Sequence, residues 1–168
     1  MNSIQEENNF VNIEKIIIFA IVIIIGIVVR FVVFPYDLPI YQDGEVYFWY
    51  ANDMSITGDF PRSQEFSFPN NLWPIFLSGF FTLLSSNNFI DYMTIQRIVT
   101  IGLSVATSVP IFFLCRRFVD DKYAIIGSAL FIFEPRLIQS SINGVTEPLF
   151  LLLGTVSLVL FLTKRMIF

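Results

Sequence analysis

Residues 16–34 read IIIFAIVIIIGIVVRFVVF, 19 residues whose one charge, Arg30, lies near the far end. At about 1.5 Å of rise per residue, a helix of this length reaches across a hydrocarbon core of roughly 30 Å. The stretch decides the fold, because lipid admits only elements that satisfy their backbone polar groups internally, and an unbroken apolar run does so as a helix. A cleavable signal peptide has a shorter apolar core and a small-residue cleavage site, and neither is present here. The run therefore reads as a retained first membrane helix behind a polar cytoplasmic tail, residues 1–15, that carries Glu6, Glu7, Glu14 and Lys15.

The rest of the chain agrees. Its 168 residues are 55% hydrophobic and only 14% charged, against roughly 25% charged in ordinary soluble domains. The expected fold is all-α, a polytopic membrane protein of about four transmembrane helices with an external loop that holds interfacial or re-entrant helices. The single cysteine, Cys115, excludes a disulfide within the chain, and the lack of histidine excludes Ser-His-Asp triads, HExxH zinc sites and histidine bases. Carboxylates must then carry any acid, base or metal chemistry.

Charge orients the spans. Residues 35–93 hold seven acids (Asp37, Asp43, Glu45, Asp53, Asp59, Glu65, Asp91) against one base, Arg62, which argues for the external side. Within that loop, Leu72 to Ser86 is apolar over too short a length to cross and reads as interfacial or re-entrant. A second span is expected over 94–115, closing on the basic turn RRFVDDK at residues 116–122. Further spans are expected over 121–139 and 146–163, the last ending on Lys164 and Arg165. The basic turns read as cytoplasmic, as do both termini, and the polar turn INGVTEP as external, which suits a multi-pass plasma-membrane protein.

Two acidic sites thus fall outside near membrane level: Asp43 and Glu45 in YQDGEVYFWYANDM (residues 41–54), and Glu147 in VTEP. If the chain is helical after Gly44, then Asp43, Tyr47, Tyr50, Ala51 and Met54 share a face. A carboxylate beside aromatic rings suits a sugar, whose apolar faces stack while its hydroxyls seek acceptors. The same residues also fit a plain interfacial helix, with Asp43 as N-cap, Glu45 in the first turn and the aromatics as anchors. Glu147 before Pro148 fits a helix start in the same way. Arg30, Arg97 and Arg136 lie near the external ends of apolar segments, where they either snorkel or hold a lipid-linked phosphate.

The order of these parts resembles the N-terminal portion of the GT-C superfamily of membrane glycosyltransferases. It runs from one helix to a large external loop opening on DGEVYFWYA, then FPNNLWPIFLSGFF, an arginine at the start of the next span, and the turn INGVTEPLF. The group includes protein O-mannosyltransferases, lipid A aminoarabinose transferases and the oligosaccharyltransferase catalytic subunit. The resemblance covers residues 16–165 and rests on order more than on any one motif. It implies that Asp43, with Glu45, matches the first-loop acid that serves catalysis, and that Glu147 matches the second-loop acid near the reacting centre. Arg97 is similar to the arginine that often opens the second membrane helix. No doubled acid accompanies Glu147, so a divalent metal is not supported and no cofactor is assigned.

What the resemblance implies is inverting transfer of a sugar from a polyprenyl-phosphate donor to an acceptor hydroxyl or amide at the external face. Asp43 would be the base, Glu45 the second candidate, and Glu147 would orient acceptor or sugar. Tyr47 and Tyr50 would bind the sugar, and Arg97 or Arg136 would meet the phosphate charge. The partners expected are the lipid-linked donor, membrane lipid, and a C-terminal half or partner membrane subunit, without which the chain is expected to be inactive; nucleic acid is not among them. The alternative is a non-catalytic small membrane subunit or scaffold. A small transporter is less favoured, since the EPR group at residues 134–136 is the only candidate for a mid-span charge.

Overall fold

Apolar runs separated by capping residues dictate helices, and helices make up about 80% of the described residues, with no strands among them. The structure, a computed structural model, describes residues 2–59, 72–84, 86 and 88–164, with the side chains of residues 2–12 and 164 left out. Expectations that rest on Glu6, Glu7, Arg62, Glu65, residues 68–71, or the charges of Lys164 and Arg165 lie outside this description. The helices are α1 (Asn2–Val32), α2 (Asp43–Thr57), α3 (Leu72–Leu83), α4 (Phe89–Ala106), α5 (Ser108–Cys115), α6 (Asp121–Ile132), α7 (Pro135–Ile142) and α8 (Glu147–Lys164).

Two helices are long and apolar enough to cross a membrane, Ile13–Val32 and the combined α4–α5 rod Phe89–Cys115. Only 11% of the first of these is buried within the protein, so its isoleucines face outward as lipid-facing side chains do. The count falls short of the four spans expected from sequence, for two physical reasons. The span expected over 121–139 is α6 and α7, which bend by 51° at a short break, so they form one crossing only as a broken helix. At that break Pro135 opens α7, where its missing N–H costs nothing, and the Glu134 carboxylate caps the new helix by accepting from Leu137 N at 2.8 Å. Glu134 is therefore a helix cap, and no ion pair joins it to Arg136 among the described residues. The final apolar helix, Glu147–Thr163, is shorter than a full span.

Polar groups tie the helices together where lipid offers them no other partner. Arg30 is fully buried. Its Nε donates to Ser141 Oγ at 3.2 Å, its Nη1 to the carbonyls of Gly26 and Ile132 at 3.0 Å each, and its Nη2 to Ser104 Oγ at 3.0 Å. One side chain thereby joins α1, α4, α6 and α7, and it satisfies the Ile132 carbonyl that the break leaves open. Thr100 donates to the Ser141 carbonyl, and Ser128 to the Ser108 carbonyl at 2.8 Å. Helix α1 approaches α6 closely at Gly26, where an added Cβ would lie 2.5 Å from Ile132 Cδ1.

At the other side of the first loop, α2 and α3 pack as a pair. Phe48 and Ala51 of α2 meet Trp73, Leu77 and Phe81 of α3, with Ile40 and Met93 completing the cluster. With only 12 residues, α3 is about 18 Å long and cannot traverse the hydrocarbon. The α2–α3 pair thus forms a buttress against the first-loop end of α4.

Candidate functional site

The site is built around two neighbours at one level of α4, Gln96 and Arg97, both buried. Gln96 Nε2 donates to the Gly44 carbonyl at 3.0 Å and to the Gly144 carbonyl at 2.7 Å. It therefore clasps the first turn of α2 to the turn between α7 and α8. Trp73 Nε1 donates to the same Gly144 carbonyl at 3.2 Å, so α3 is tied to the turn as well. Both glycines are required by the geometry: a Cβ on Gly44 would strike the Asn143 carbonyl oxygen and Ile40, and one on Gly144 would lie 2.8 Å from Gln96 Nε2. Gly144 also has φ +69°, a left-handed turn that disfavours side chains.

This junction brings the two acidic segments together. Asp43 is the first residue of α2, one position from Gly44, and Glu147 opens α8, three positions after Gly144. Asp43, Glu45 and Glu147 are all exposed, and the carboxylate of Asp43 accepts no hydrogen bond among the described residues. The expected N-cap role of Asp43 is not observed, because Gln42 occupies the N-cap position, without a side-chain cap bond, and Asp43 lies within the helix. Gln42 has φ 56°, the one non-glycine positive φ among the described residues. Such backbone strain, on the order of 1–3 kcal/mol, clusters at functional positions.

Arg97 neither snorkels nor stands free. Its Nε donates to the Ile142 carbonyl at 3.0 Å, Nη1 to those of Pro35 at 3.1 Å and Leu38 at 2.7 Å, and Nη2 to that of Pro39 at 3.0 Å. The ring of Phe34 lies 5.9 Å below the guanidinium, within reach of a cation–π contact. Every partner is a neutral oxygen or a ring, so the cation has no counter-charge among its bonded neighbours. It forms part of the wall of a cleft of about 370 Å³ between the segment after α1 and α7, alongside Tyr41, Gln139 and Asn143.

The remaining candidates fall elsewhere. The buried face of α2 is Gly44, Phe48, Ala51 and Asn52, one position out of register with the stripe expected from Asp43, Tyr47, Tyr50, Ala51 and Met54. Tyr47 is half-buried and packs on the α2–α3 cluster, and Tyr50 is half-buried too. Tyr47 thus has a packing contact as well as a partly exposed surface. Arg136 is exposed at the start of α7, about two turns or roughly 10 Å along that helix from Asn143, and does not reach the junction. Gln96 was not singled out in the sequence; its signal there is a second polar residue beside Arg97 at the mouth of an apolar run.

Among the described residues no three His, Cys, Asp or Glu side chains converge to hold a metal ion. One polar atom stands out instead. Gln96 Oε1 is buried and has no hydrogen-bond donor among the described residues, which costs about 1–3 kcal/mol when uncompensated. No protein-family model matches this chain, and neither a curated protein nor a solved structure matches it.

Proposed function

We propose that the chain is part of a membrane glycosyltransferase that uses a lipid-linked sugar donor at the external face. The observation that carries this reading is the Gln96 clasp, which keeps the Asp43–Gly44–Glu45 turn against the turn that leads to Glu147. Three exposed carboxylates then flank one membrane-level site, two from the first loop and one from the start of α8, with the buried Arg97 cation in the neighbouring cleft.

A second feature suits the donor. Leu149, Phe150, Leu153, Gly154 and Ser157 of α8, with Thr146 just before it and Leu72 and Trp73 of α3, line an apolar groove of about 220 Å³. The groove starts beside Glu147 and follows α8 for three turns, the course that a polyprenyl tail would take from a head group held at the acidic end. In the reaction, the acceptor oxygen bonds to the anomeric carbon while the carbon–oxygen bond to phosphate breaks. The proton passes to Asp43, the polyprenyl phosphate leaves, and configuration inverts. The field of Arg97 favours the departing negative charge without a direct bond. In this reading α6–α7 forms one broken crossing and α8 a short fourth, with the basic turn at residues 116–122 and both termini on the cytoplasmic side.

The test is sugar transfer by native membranes that contain the chain, set against membranes from a strain in which it is deleted. Labelled polyprenyl-phosphate sugars are supplied as donors. Transfer present in the first and lost in the second is expected; equal transfer in both for every donor supplied overturns the proposal.

A further inference from the structure

At the opposite end of the bundle, α1, α5 and α6 enclose a second cavity of about 400 Å³ that the sugar chemistry does not use. Its walls are apolar: Phe19 stacks on Phe112 with ring centroids 4.9 Å apart, and Ile16, Val109 and Phe113 continue the surface. Its rim is charged. Lys15 Nζ lies 3.1 Å from one Asp121 oxygen, and Arg116 Nε lies 2.7 Å from the other. Two cations thus share one carboxylate, and the rim keeps one net positive charge. The side chain of Arg116 is 54% exposed, and its Nη1 and Nη2 have no partner among the described residues. Glu14 and Asp120 are nearby in sequence but do not line the cavity.

The depth of these groups is fixed by the sequence. Lys15 immediately precedes the apolar run of α1, Arg116 immediately follows that of α4–α5, and Asp121 opens α6. All three therefore lie at head-group level, with the aromatic walls one or two turns deeper. A cavity with unspent guanidinium donors at the head-group depth and an apolar interior below matches one ligand class: charge above, acyl chain beneath. Arg is suited to phosphate oxygens, which its planar donors meet in pairs. We infer that the α1–α5–α6 cavity is a specific site for an anionic phospholipid, whose phosphate bonds Arg116 and Lys15 while an acyl chain packs on Phe19, Phe112 and Phe113. This site is independent of the glycosyltransferase reading.

The test uses the full chain in detergent micelles with matched phosphatidylglycerol and phosphatidylcholine, read by native mass spectrometry. The wild-type chain is expected to retain phosphatidylglycerol roughly fivefold over phosphatidylcholine, a preference that falls to about one in Lys15→Gln/Arg116→Gln. Lys122→Gln, which removes a nearby cation outside the cavity, is expected to keep it. Equal retention by the wild type, or a loss in Lys122→Gln as large as in the double variant, overturns the inference. Should the double variant fail to fold, phosphatidylglycerol with a photoreactive acyl chain decides on the wild type. Labelling concentrated on residues 16–19 and 109–113 is expected, and labelling spread evenly over the exposed isoleucines of α1 and the exposed leucines of α8, or a copurifying protein in place of lipid, overturns it.

Discussion

Arg97→Met is expected to destabilise the protein by about 3–5 kcal/mol in equilibrium unfolding from mixed micelles, one of the largest effects available to a single substitution here. The cause is specific. Four carbonyls, those of Pro35, Leu38, Pro39 and Ile142, take their hydrogen bonds from this one guanidinium. Three of them belong to a proline-rich segment that has few backbone N–H groups to spare, and the guanidinium that serves them is buried. Methionine fills much of the volume but leaves the carbonyls bare, each costing about 1–3 kcal/mol if it finds no other donor. Arg97→Lys should restore less than half of the loss, because an ammonium cannot span acceptors on two separate segments as the planar fork does. A change of less than about 1 kcal/mol in Arg97→Met would mean that the segment after α1 is held by something else.

Asp43→Asn is expected to lower sugar transfer by roughly 100- to 10,000-fold, the usual worth of a general base, while leaving membrane insertion and unfolding unchanged. Asp43 is exposed and accepts no hydrogen bond among the described residues, so its amide isostere removes basicity and little structure. Glu147→Gln is expected to cost less, as befits a group that orients rather than takes the proton. Glu45→Gln separates the two first-loop acids: a loss as deep as that of Asp43→Asn, with Asp43→Asn near wild type, would transfer the role of base to Glu45. Wild-type transfer by all three variants would leave the carboxylates without a catalytic part and favour a scaffold role.

Much of the helical plan was legible in the sequence. The run from Ile16 and the one that ends at Cys115 are long enough that no loop or strand competes, and charge marks their ends. The third expected span was harder, because an apolar average over 121–139 hides the single Glu134–Pro135 step at which the helix bends by 51°. The site was legible as chemistry but not as geometry. That Asp43 and Glu147 belong to one end followed from charge; that their turns touch depends on Gln96, whose two acceptors lie in segments 52 and 48 residues away in sequence. For the same reason sequence could not separate a snorkelling Arg30 or Arg97 from a buried one. An arginine near the end of an apolar run looks the same in both cases until the carbonyls that receive it are in view. Which face of α2 turns inward has a simpler origin, since YFWY offers apolar rings on every side and only the packing of α3 selects Phe48.

The claim on which the rest stands is that the first acidic segment and α7, which leads into the α7–α8 turn, meet at one end of the bundle, across the cleft shared by Tyr41 and Gln139. Paired cysteines at these two positions, introduced with Cys115→Ser and treated in membranes with a short bis-maleimide, measure it directly. Lys15→Cys/Asp121→Cys, at the opposite end, serves as the positive control, since those native side chains are 3.1 Å apart. Tyr41→Cys/Gln139→Cys is expected to cross-link within one chain about as efficiently as the control. Efficient linkage of the control with none between positions 41 and 139 would contradict the account.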